Sequence, residues 1–236
     1  DEAITPTEPI KLFNGKDLSN FYTWLADYQY EDPHDVFTVV DRINGRPAIR
    51  VSGRDWGGFI TRDRYRNYHL IVEFRWGLVS WGRRQDRTRD SGILLHCKGA
   101  EGNASLEFNS PWMQSVEFQI IEGGTGDIIL VNGFSKSGER IPTRLTVTVR
   151  KDQDGEWVWD PPGPVKTFER GRINWFGRDP DWVDELGFRG REDLEKPAGQ
   201  WNRLDAFVKD DTFTYLVNGT IVNKGTDSSL KQGRIL

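Results

Sequence analysis

A two-residue rhythm of apolar and polar side chains, broken at short intervals by Gly, Asn, Asp and Pro, limits this chain's fold more than any other feature. The rhythm recurs in residues 37–40, 48–51, 69–76, 93–97, 116–121, 128–131, 144–150, 204–209 and 213–217. Side chains alternate faces along a strand, so such runs with turn residues between them predict antiparallel strands that each bury one face. Asn44-Gly45 and Asn218-Gly219 each stand between two of these runs, and both residue types tolerate the positive φ of a tight hairpin turn. Helical spacing is nearly absent, with room for one short turn at 181–186. The expectation is an all-β fold in one domain over residues 1–236, a length that sandwiches and barrels reach as a single unit. Residues 155–199 break the rhythm and predict a long, irregular loop excursion. Its Trp175, Phe176, Trp182 and Phe188 indicate that it packs over a sheet edge or a site.

Composition narrows the function. A net charge of −4 argues against a phosphate-backbone binder, which would present a basic face, so no nucleic-acid partner is expected. Four arginines between Arg83 and Arg89 are interrupted by Gln85, Asp86 and Thr88 and read as a solvated loop. No apolar run is long enough to span a membrane. Cys97 is the single cysteine, so no internal disulfide forms. The polar, Pro-bearing start DEAITPTEP reads as a mature N-terminus. Ten Trp in a chain only 36% hydrophobic suit a modest core and an aromatic-lined, wet surface.

Strand parity then sorts the polar residues. In 69–76, Leu70, Val72, Phe74 and Trp76 share one face while Glu73 and Arg75 share the other. In 116–121, Glu117 and Gln119 oppose Val116, Phe118 and Ile120. In 93–97, His96 falls with Gly92 and Leu94. Neighbouring strands would therefore gather Glu73, Arg75, His96, Glu117 and Gln119 on one sheet face. An ordinary solvated sheet face accounts for Glu73 and Arg75 equally well. It accounts less well for His96, Glu117 and Gln119, whose strands are too apolar to lie freely exposed. His34 and His69 sit where solvent exposure is the ordinary expectation. No phosphate-binding Gly-rich loop, zinc spacing or Gly-x-Ser-x-Gly elbow occurs. Glu73 and Glu117 could flank a glycosidic bond, although the Glu-x-Asp-x-x-Glu strand of sandwich-fold glucanases is absent.

Five segments, in order, carry a resemblance that covers essentially the whole chain: KLFNGKDLSNFYTW, GGFITRDRYRNYHLIVEFRWG, RDSGILLHCKG, SVEFQIIEGGTGDI and GQWNRLDAFVKDDTFTYLVNGTIVN. The chain resembles the 3-keto-disaccharide hydrolase family. That resemblance implies a concanavalin-like jelly-roll β-sandwich of two antiparallel sheets, bacterial export to the periplasm or exterior, and action on glycosides already oxidised to a ketone at C3. A carbonyl at C3 acidifies the C2 proton, whose loss can expel the group on C1, so cleavage would be elimination followed by hydration. Such chemistry needs a base near neutrality and a cation or hydrogen-bond donor beside the enolate oxygen. The expected assignments are His96 as base, Arg75 for the enolate, and Glu117 and Gln119 for hydroxyls. Glu73 would orient Arg75, and Trp81, Trp182 and Trp201 would supply stacking surface. A divalent cation held by His96 and Glu117 is a further expectation, as is an upstream sugar oxidoreductase. The family usually continues past a GRILLQ-like strand, whereas this chain stops at Leu236: either the sequence is cut short or the last strand is missing, and the expectation is an open sheet edge. Two other readings compete: a non-catalytic carbohydrate-binding module, and an interaction domain built on the 155–199 excursion.

Overall fold

The computed structural model describes residues 2–236, in which the rhythm resolves into short strands. In chain order these are β1 (Phe21–Leu25), β2 (Phe37–Ile43), β3 (Arg46–Val51), β4 (Gly57–Thr61), β5 (Tyr68–Phe74), β6 (Asp90–Lys98), β7 (Gln114–Ile121), β8 (Ile128–Val131) and β9 (Gly133–Phe134). They continue with β10 (Arg140–Ile141), β11 (Leu145–Lys151), β12 (Trp157–Trp159), β13 (Val165–Phe168), β14 (Gly171–Ile173), β15 (Asn202–Lys209), β16 (Thr212–Val217) and β17 (Thr220–Gly225).

Two four-stranded antiparallel sheets stack as a β-sandwich, one in the order β14-β8-β7-β6 and the other β17-β16-β15-β5. Their inward residues alternate as the sequence predicts. Ile93, Leu95, Val116, Phe118, Ile120, Ile128 and Leu130 meet Leu70, Leu204, Ala206, Val208, Phe213 and Tyr215 in one core. Phe118 stacks flat on Tyr215 across the layers, with centroids 4.1 Å apart. Both Asn-Gly pairs turn hairpins with positive φ at each residue, joining β2 to β3 and β16 to β17. The expected excursion over 155–199 contains three short strands, β12, β13 and β14: Phe168 and Ile173 bury into the same core, and Val158 is buried as well. Its remainder from 174 to 199 lies outside the named strands.

Two expectations are corrected here. The β6 edge does not lie open: Leu94 and Leu236 exchange backbone hydrogen bonds, Cys97 bridges Arg234, and Ile235 accepts from the Thr61 N–H. In addition, the β6–β7 register slips between Leu95 and Lys98. His96 occupies that bulge with φ +57°, so two successive side chains, Leu95 and His96, turn inward before Cys97 turns out.

Candidate active site

The bulge removes His96 from any outer-face site. Its ring is fully buried between Tyr68 and Phe213, with centroids 5.6 and 5.1 Å away. Nδ1 lies 3.1 Å from the Leu230 carbonyl, which makes it the protonated nitrogen. Burial drives the imidazole pKa down to about 4, partly offset by that hydrogen bond. His96 is thus a neutral core residue. It cannot share a cation with Glu117, whose side chain leaves β7 on the face opposite the core.

Glu73 and Arg75 are likewise elsewhere. Glu73 projects from β5 on the outer side of the other sheet, 3.8 Å from Arg46, and Arg75 follows just past the end of that strand. Arg75 donates to Asn44 and lies 5.6 Å above the Trp201 ring. Trp201 therefore belongs to that far face too. Trp81 is an exposed residue in the loop after β5.

Glu117 and Gln119 do come together, with partners the sequence reading missed. Residues directly paired across antiparallel strands share a face. Leu94, Glu117, Ile129 and Arg172 form one such row across β6, β7, β8 and β14, and Gly92 pairs with Gln119 beside it. Asp90 projects from β6 on the same face, two residues before Gly92, and accepts from Gln119 Nε2 at 2.8 Å. The Glu117 side chain leans across Gly92. A Cβ there would lie 2.1 Å from Oε1, so only glycine leaves the carboxyl its place. Among the described residues none donates a hydrogen bond to the Glu117 carboxyl, although the residue is only 8% exposed.

The electrostatics follow from this placement. Burial, reinforced by the neighbouring Asp90 charge and opposed by Arg172, raises the Glu117 pKa to about 8. Burial also raises Asp90, against the pull of Arg84, the Gln119 hydrogen bond and Arg172. Arg172 itself donates to Asp127 at 3.1 Å. Fully buried Asp127 also accepts from Arg178 and from the Trp175 N–H.

Two segments wall the face. Arg84, Arg87 and Thr88 all bind Asp184, and Arg89 pairs with Glu122 in a buried ion pair. The arginine cluster read as a solvated loop is therefore half structural: Arg84 and Arg89 tie the chain down, while Arg83 lies 4.5 Å above the Trp56 ring. Trp182 fixes the excursion by donating to the Glu122 carbonyl at 2.8 Å. Asp152, Asp154 and Glu156 form a group of three converging acids at the β11–β12 turn, apart from Glu117.

Fold and face together define a β-sandwich that carries a sheltered carboxyl, an amide beside it and, two strands away, an arginine on the outside of one sheet, groups able to move a proton on a polar substrate. The chain belongs to the 3-keto-alpha-glucoside-1,2-lyase-like domain family, whose sequence model matches residues 8–236. No curated protein matches the chain. Among solved structures it is similar to a candidate glycosyl hydrolase from Parabacteroides distasonis, at 14% identity and TM-score 0.49, covering 95% of this chain and 84% of that one. A second candidate glycosyl hydrolase of the same organism aligns at 15% identity and TM-score 0.43, covering 94% and 86%. The carbohydrate-binding module CBM66 of Bacillus subtilis aligns at 8% identity and TM-score 0.38, covering 84% and 81%. Among the described residues no helix is long and apolar enough to cross a membrane.

Proposed function

We propose that the protein cleaves 3-keto-glycosides by elimination, with Glu117 as the proton-transfer group. The observation that carries this reading is a buried carboxyl with no hydrogen-bond partner among the described residues, on the sheet face that also carries Arg172, where burial raises its pKa to about 8. A base for a C–H proton must be free to approach carbon, and one whose pKa lies near the working pH combines availability with strength.

In the ionised form Glu117 takes the C2 proton, and the C2–H electron pair becomes the enolate of the C3 ketone. Arg172 is the cation on the same face for that oxygen. Collapse of the enolate forms the C1–C2 double bond and breaks the C1–O bond. The proton now on Glu117 passes to the departing oxygen, and water then adds across the double bond. Gln119 and Asp90 bind ring hydroxyls. Glu117 and Arg172 thus take over the roles that the sequence had given to His96 and Arg75. The ketone must be installed before this step, so the protein acts after an alcohol-oxidising enzyme.

The experiment is turnover of a 3-keto-α-glucoside beside its unoxidised parent. The reading predicts cleavage of the ketone alone. Binding of either compound without cleavage would contradict it and favour a carbohydrate-binding module.

A further inference from the structure

Beyond Arg172 lies a cavity of about 220 Å³, bounded by Asp154, Glu156, Arg172, Arg178, Asp179 and Trp182. Its aromatic wall is held rigidly. The Trp182 indole is anchored at Nε1 by the Glu122 carbonyl, lies 4.5 Å from the Arg178 guanidinium and meets the Phe188 ring edge-on at 6.2 Å. Arg178 is itself buried and paired with Asp127, so ligand binding need not order this wall.

The lining chemistry selects among ligands. An anion would face the carboxylates of Asp154, Glu156 and Asp179, and a cation would face two guanidiniums. A neutral polyol finds acceptors, donors and a flat apolar ring together. The volume lies below the roughly 300–1,000 Å³ of sites for drug-sized ligands, which suits a single sugar ring. Arg172 belongs both to this cavity and to the row that holds Glu117.

We infer that the cavity is the subsite for the sugar unit that leaves from C1, with Trp182 as its stacking platform. The assignment of that unit as the leaving group rests on the elimination reading above. With the oxidised ring over Glu117, the unit linked through C1 extends past Arg172 into the cavity. Asp154 and Asp179 accept from its hydroxyls, and Arg178 backs the indole.

The test compares the full-length protein with its Trp182→Ala variant on a 3-keto-disaccharide and on methyl 3-keto-α-glucoside, whose aglycone is too small to fill the cavity. The expected result is a loss of about tenfold or more in kcat/KM on the disaccharide, carried by KM, with the methyl glycoside changed less than about twofold. Equal losses on both substrates, or none on either, would overturn the inference. Asp154→Ala, in an exposed turn, repeats the test without touching the packed indole. Calorimetry with free glucose separates this inference from the elimination reading. If the wild type cleaves neither ketone, glucose binding that both variants weaken still supports a sugar subsite. Glucose affinity unchanged in both overturns it.

Discussion

Two residues of β6 and β7 show how one backbone irregularity redistributes chemistry. His96 has the more familiar catalytic side chain, yet the bulge at Leu95–Lys98 turns it into an aromatic core. In the proposed reading Glu117 takes the proton-transfer role, because its strand pairs in register there and its carboxyl has no hydrogen-bond partner among the described residues. Its neighbours pull its pKa in opposite directions: the Asp90 charge raises it and Arg172 lowers it. Asp90→Asn should therefore move the rising limb of the pH profile for kcat/KM to lower pH, by about one unit. Arg172→Met should move it about as far to higher pH. Shifts of the same sign, or none, would show that the limb reports another group. Parity made Glu117 and Gln119 legible in the sequence. Asp90 was one alternation further back along the same strand and could have been found by extending it. The inward turn of His96 was not legible, because a bulge leaves no mark in an apolar run. Arg172 was hidden for another reason: its strand lies inside a stretch without alternation.

The elements around the face divide into sheet and clamp. Strands β6, β7, β8 and β14 fix spacing through their ladders, whereas the 76–89 loop and the 174–198 segment hold position through side chains. Asp184 is their joint, receiving Arg84, Arg87 and both the N–H and the hydroxyl of Thr88. Asp184→Ala should loosen the loop that leads into Asp90. Amide exchange should rise across 82–89, and KM for a 3-keto-glucoside should increase by up to about tenfold with a smaller change in kcat. Unchanged exchange would mean that the loop is held by other contacts. The regular strands were readable because period two and Asn-Gly turns are local signals. The clamp was not, since ion pairs such as Arg84–Asp184 join residues far apart in sequence.

Across the whole molecule, the same buried groups make stability depend on pH. The folded state holds His96 neutral down to about pH 4, whereas the unfolded chain protonates it near its ordinary value of 6.5. Stability from this residue is complete above pH 6.5 and is lost as pH falls towards 4, a change of roughly 3 kcal/mol. His96→Asn keeps a residue that tolerates positive φ but cannot titrate. It should lower Tm at pH 7 and flatten the acid decline, while leaving C2 chemistry in place; an unchanged acid decline would place its origin in other groups. Glu117 acts with the opposite sign. Its folded pKa of about 8 exceeds the ordinary 4.5, so its contribution is complete below 4.5 and is lost as pH rises through 8. Glu117→Gln should accordingly melt higher than the wild type at pH 8.5 by calorimetry.

The assignment of Glu117 is decided by following the C2 proton of a 3-keto-α-glucoside in heavy water by NMR, with wild type and Glu117→Gln side by side. The wild type should exchange or eliminate that proton. The folded variant should do so about 10²- to 10⁴-fold more slowly. A variant that retained the wild-type rate would remove Glu117 from the reaction.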